Sequence, residues 1–119
     1  ALARVRPASD PLQKEWLRIP VRRRTGVRLL RPCEVEALTA ELGDCVAWTA
    51  EGRLPVDGSL AHWEVRLSEH GFLRVHRNAL VRLDAVREMT VDDELVLGCG
   101  RLPISRRRME EVRRALGLP

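Results

Sequence analysis

From Leu17 onward, apolar and polar positions alternate in short runs, and each run stops at a glycine, a proline or a polar pair. Leu17, Ile19 and Val21 alternate with Arg18 and Arg22; Thr25-Gly26 turns, and Val27, Leu29 and Leu30 return, which predicts a β-hairpin. Pro32 breaks it. Residues 34 to 41 alternate again through Val35, Ala37 and Thr39, Leu42-Gly43-Asp44 supplies a tight loop, and residues 45 to 49 restart as a strand. After the turn at Ala50-Glu51-Gly52 and a short run over 53 to 56, the period changes. Leu60, Trp63 and Leu67 recur at three and four, with Ser59 placed to cap and Gly71 placed to stop, so a helix is expected there with its apolar stripe on the sheet.

The second half repeats this grammar. A short buried strand from Phe72 runs into His76, Arg77 and Asn78, and residues 85 to 90, 94 to 97 and 101 to 104 read as a meander turning at Asp92-Asp93 and at Gly98-Cys99-Gly100. Ser105 then caps a last helix whose buried stripe is Met109, Val112 and Leu116, ended by Gly117. The pattern predicts a mostly β protein with one mid-chain helix and one C-terminal helix.

Composition narrows the class. At 119 residues the chain is one domain, and 45% hydrophobic with 32% charged residues is a globular balance. No apolar run approaches the ~20 residues of a membrane span, so a soluble, cytoplasmic domain is expected. Cys33, Cys45 and Cys99 are odd in number and far apart, which argues against a disulfide framework and a structural zinc site. Residues 1 to 15, with Pro7, Ser9, Asp10 and Pro11 at their centre, read as an interdomain linker preceding a domain over 16 to 119. The absence of an initiator Met suggests a fragment whose missing part is N-terminal.

Charge points to the partner. Residues 1 to 39 carry nine basic and four acidic groups, 40 to 70 two and six, and 71 to 119 ten and seven. Lys14 is the sole lysine, so the cations are arginines, whose fixed fork matches phosphate and guanine edges. Arg74, His76, Arg77 and Asn78 offer donors within one turn of chain, with no acid, base or nucleophile beside them, a donor array for anions rather than a reacting centre. Arg106, Arg107 and Arg108 stand at the start of the last helix, where the macrodipole disfavours each cation by ~0.3 to 1 kcal/mol. A polyanion at that spot would explain them.

Other chemistry fits less well. His62 and His70 have no second ligand at metal spacing, and no cysteine lies near a histidine in a zinc pattern, so neither metal nor cofactor is expected. Trp16, Trp48 and Trp63 read as core, and no aromatic is interleaved with the arginines as single-strand stacking requires. A nuclease using His76 and Asn78 lacks carboxylates for a metal, so the chain is not read as an enzyme. A module binding an acidic protein partner is the remaining alternative.

At residues 72 to 81 and 102 to 108, Phe-Leu-Arg-Val-His-Arg-Asn-Ala-Leu-Val and Leu-Pro-Ile-Ser-Arg-Arg-Arg, the sequence resembles the LytTR family, the DNA-binding output half of AlgR-like and AgrA-like bacterial response regulators. The resemblance covers residues 18 to 116 and includes Ala40-Glu41-Leu42-Gly43-Asp44-Cys45-Val46, where Cys45 replaces the usual aromatic. It implies short antiparallel strands in small packed sheets with a helix or two at the side. It also implies that the loop Leu42, Gly43 and Asp44 and the segment Ser105, Arg106, Arg107 and Arg108 enter successive major grooves, with His76, Arg77 and Asn78 between them. Arg107 is then a base contact and Arg106 and Arg108 phosphate partners. Duplex DNA is the implied partner, bound by two copies of a monomer on half-sites about one helical turn apart, beneath an N-terminal signal domain.

Overall fold

The computed structural model describes residues 17 to 119. The expected linker and Trp16 lie outside the described residues. The first five strands are β1 (Ile19–Arg23), β2 (Gly26–Leu30), β3 (Val35–Glu41), β4 (Asp44–Thr49) and β5 (Gly52–Val56). Helix α1 (Leu60–Leu67) follows, then β6 (Phe72–His76), β7 (Ala79–Arg82), β8 (Glu88–Met89), β9 (Glu94–Leu97), β10 (Gly100–Pro103) and helix α2 (Met109–Ala115). The protein is mostly β, as its alternation predicts.

Seven strands form one antiparallel sheet in the order β2-β1-β5-β4-β3-β7-β6, and β10-β9-β8 form a second, smaller one. Two apolar clusters follow from the pleat, because successive side chains of a strand point to opposite faces. On β4, Cys45 and Ala47 enter one cluster, which α1 closes with Leu60, Trp63 and Leu67. Trp48 enters the other, which the small sheet and α2 close with Leu95, Leu97, Leu102 and Val112. Trp63 anchors α1 with a hydrogen bond from its indole N–H to the Asp57 carbonyl at 2.7 Å.

Two bulges shift the faces. Simple alternation puts Val35 and Ala37 of β3 together, but the register against β4 slips between them, so Val35 joins the α1 cluster and Ala37 the α2 cluster. The slipped residue, Glu36, accepts a hydrogen bond from the Cys99 N–H at 3.0 Å and so ties the β9–β10 turn to the large sheet. On β6 the register passes from Arg74 opposite Leu80 to His76 opposite Ala79, leaving Val75 without a counterpart on β7.

The helix at 60 to 67 starts as expected, with the Ser59 hydroxyl accepting the His62 N–H, but it closes through a 3-10 turn, Ser68–His70, before Gly71 at φ 81°. The strand expected over 85 to 90 contracts to two residues behind a 3-10 turn at Leu83–Ala85. The last helix departs further. Arg106–Arg108 form a 3-10 turn, the α-helix begins only at Met109, and the Ser105 side chain caps nothing.

Candidate nucleic-acid interface

The three segments singled out by sequence meet at one end of the large sheet. β3 and β7 are antiparallel with Thr39 opposite Ala79, so the exit of β3 and the entry of β7 lie side by side. The Ala40 N–H donates to the Asn78 carbonyl at 2.9 Å, which sets the Arg77-Asn78 turn against the Leu42-Gly43 turn. On the opposite flank, β6 is the terminal strand of its sheet. Segment 105 to 108 takes up that edge: the Ser105 N–H donates to the Val75 carbonyl at 2.8 Å, and Arg108 Nη1 to the Arg74 carbonyl at 3.3 Å. Val75, the bulged residue, has no counterpart on β7, and its carbonyl takes the Ser105 N–H on the open edge while its side chain stays fully buried in the α2 cluster. Across the end the order is therefore Leu42-Gly43, then Arg77-Asn78, then Ser105 to Arg108.

The charges there are unmatched. Arg77, Arg106 and Arg107 are exposed and make no ion pair or side-chain hydrogen bond with any described residue. Several arginines elsewhere are matched, Arg22 to Asp57 at 2.9 Å, Arg23 to Glu51 at 3.1 Å, and Arg28 to Glu51 and Glu34, whereas Arg24 and Arg113 are exposed and, like the three at the sheet end, make no ion pair with a described residue. Exposed guanidinium groups without partners offer all five N–H donors to an incoming anion.

Arg74 does not belong to the donor array expected from sequence. Its Nη1 meets the Glu64 carboxylate at 2.6 Å, its Nε donates to the His76 carbonyl at 3.0 Å, and its Nη2 donates to the Arg77 carbonyl. All three interactions are internal, so Arg74 shapes the turn and Arg77 presents the charge. Arg82 is likewise engaged, donating to the Val35 carbonyl at 2.9 Å and to Asp84. His76 is half-buried, and its Nδ1 accepts the Asn78 N–H at 3.1 Å, which leaves Nε2 as the ring nitrogen carrying the proton.

The start of the last helix is also corrected. The Arg108 N–H donates to the Ser105 carbonyl at 2.9 Å and the Met109 N–H to that of Arg106, so the 3-10 turn uses the Arg108 amide that an α-helical start at Ser105 would leave free. What the segment offers an anion is guanidinium, not a helix end. Arg108 is half-buried and bonded to Arg74, which makes it the one member of the basic run that braces the segment.

The Leu42-Gly43 loop has another character. Leu42 and Gly43 both have positive φ, 51° and 86°, the signature of a type I′ hairpin turn. The loop holds no cation. Asp44 is exposed, whereas Glu41 faces Arg53 at 3.7 Å and accepts from the Thr39 hydroxyl at 2.8 Å. Cys45, below the loop, is buried, and burial pushes its thiol up from the ordinary value. The family resemblance placed Leu42 with this loop at the site; what the sequence reading did not single out is its apolar side chain, which is 103% exposed. A bulky apolar residue in a turn that favours Asn or Gly was the available signal.

Among the described residues, no three His, Cys, Asp or Glu side chains converge as a metal ion requires. No helix of the described residues is long and apolar enough to cross a membrane. No curated protein matches the chain. Its fold is similar to the solved LytTr DNA-binding domain of a Bacillus cereus protein described as a methyl-accepting/DNA response regulator. The TM-score is 0.76 at 22% identity, over 85% of this chain and 97% of that one. The sequence model of the LytTr DNA-binding domain matches residues 25–117, most of the chain, including all three segments at the sheet end. The chain belongs to the LytTr DNA-binding domain family.

Proposed function

We propose that this chain is the sequence-specific, duplex-DNA-binding output domain of a bacterial transcriptional regulator of the two-component kind. One observation carries the reading: three unpaired, exposed arginines, Arg77, Arg106 and Arg107, stand at the same sheet end as the Leu42-Gly43 turn. Phosphates supply the counter-charge these cations lack, and the turns between them project as loops that a major groove admits. In this reading Arg107 reads a base edge, Arg77 and Arg106 hold phosphates, and His76 Nε2 and the Asn78 amide add hydrogen bonds. Ser105 and Arg108 fix the docking segment while Leu42, Gly43 and Asp44 meet the neighbouring groove.

A signal-receiving domain on the N-terminal side, joined through residues 1 to 15, completes the regulator in the cytoplasm. The isolated domain is a monomer, and two copies bind half-sites about one helical turn (~10.5 bp) apart, which places them on one face of the duplex. Selection from random-sequence duplex, followed by salt titration on the selected site, tests this. A defined repeat should emerge, and binding should weaken with salt at a slope of ~0.9 per phosphate neutralised. Equal retention of all sequences, or a flat salt response, refutes it; retention of an acidic protein in preference to duplex would favour a protein-binding module instead.

A further inference from the structure

Leu42 combines two features that a soluble domain ordinarily avoids. Among the described residues only Leu42 and Asp93 are non-glycine with positive φ, and aspartate tolerates that region far better than leucine. Leu42 is also the most exposed large apolar side chain, at 103%, so it obtains no packing in return for its backbone. Val65 and Val91 are exposed as well, but they sit at negative φ. Local rules broken at one position without internal compensation indicate a constraint from outside the fold.

The loop's charge defines that constraint. Glu41 and Asp44 flank the tip, and the Arg53 guanidinium that faces Glu41 at 3.7 Å is held over the Trp48 ring at 4.1 Å. The loop therefore repels phosphate, and beside the exposed Asp44 carboxylate its tip projects an isobutyl group. Yet the Ala40 to Asn78 hydrogen bond holds it beside the Arg77 turn, at the end assigned to DNA. In a major groove the apolar feature of a base edge is the 5-methyl group of a pyrimidine.

Resting on the DNA-binding reading above, we propose that Leu42 is a specificity-determining residue that recognises the 5-methyl group of a pyrimidine, thymine or 5-methylcytosine, in the groove next to that read by Arg107. The contact is apolar and is indifferent to salt, unlike the arginine contacts.

The test uses the whole chain and the duplex it selects, with thymines replaced one at a time by uracil, which pairs identically but lacks the methyl group. Wild-type binding should weaken about fourfold at one or two positions, the value of one buried methyl. Leu42→Asn, a residue the turn prefers, should bind uracil and thymine duplexes equally at those positions and melt no lower than wild type. Where the contacted pyrimidine is instead a cytosine, 5-methylation of that cytosine should strengthen wild-type binding alone. If binding to the selected site ignores every methyl group, or Leu42→Asn keeps the same methyl dependence, the inference fails while the DNA reading stands. If no duplex is selected at all, the DNA reading fails and this inference with it.

Discussion

The Arg74 guanidinium is clamped by the Glu64 carboxylate of α1 at 2.6 Å, and from that position it donates to the His76 and Arg77 carbonyls. A helix on one face of the sheet thereby sets the shape of the turn that presents Arg77. Arg74→Ala should cost ~1 to 3 kcal/mol of stability, because a part-buried carboxylate and two carbonyls lose a charged donor. It should also weaken binding to specific and random duplex alike. Arg74→Lys should not restore either property, since a single ammonium cannot span three acceptors in one plane. Chemical denaturation of both variants, with binding curves alongside, checks this; full rescue by lysine would show that charge alone matters.

The difference between expectation and structure lies where the sequence holds no local sign of it. Alternation marked the strands well because the cores are built from side chains that must face inward, and Leu60, Trp63 and Leu67 marked α1 for the same reason. A bulge adds one residue without changing composition, so nothing in Val35, Glu36 and Ala37 announces that the first and third separate into different cores. Arg74 looked like a phosphate ligand because its partner, Glu64, belongs to another element and is brought near only by the packing of α1 on β6. At the site, the segments were legible as motifs. Their order across the sheet end was not, since it depends on the β3 to β7 register and on Ser105 docking at the bulged edge.

Trp48, Thr39, Glu41 and Arg53 close a circuit across β3, β4 and β5. The Trp48 indole N–H donates to the Thr39 hydroxyl at 3.0 Å, that hydroxyl donates to Glu41, and Arg53 lies between Glu41 and the Trp48 ring. Thr39→Val keeps the shape and removes the hydroxyl, leaving a buried indole N–H without its acceptor. The expected loss is ~1 to 3 kcal/mol, read as a shift in the denaturation midpoint, while Thr39→Ser should lose less. Unchanged stability in Thr39→Val would mean that the indole finds another acceptor.

The three thiols should separate by reactivity. Cys33 is exposed, whereas burial pushes the Cys45 thiol up, and Cys99 is raised by burial and then by the Glu36 carboxylate. Thiolate is the reacting form, so at neutral pH a small alkylating reagent should label Cys33 first, Cys99 more slowly, and Cys45 only as the domain opens. Peptide mapping by mass spectrometry over time gives the order. Early labelling of Cys45 would place it outside the core.

Arg107 and its neighbours divide by role. Arg106 and Arg107 are exposed and unpartnered, whereas Arg108 is tied to the Arg74 carbonyl at 3.3 Å. Arg107→Ala should cost ~1 to 3 kcal/mol on the selected site and little on random duplex, because a bidentate contact to a guanine edge is lost. Arg106→Ala and Arg77→Ala should weaken both duplexes together and lower the salt slope by about one unit each, as phosphate contacts do. Melting temperature should stay near wild type in all three, since none of these side chains bonds to the fold. Arg108→Ala should behave differently, lowering stability modestly and loosening the docking of residues 105 to 108 on β6, with affinity falling as a consequence. Binding isotherms on both duplexes over a salt series, paired with melting curves, separate the four. A sharp drop in the stability of Arg107→Ala, with its specific-to-random ratio unchanged, would make that arginine a structural residue and remove it from the interface.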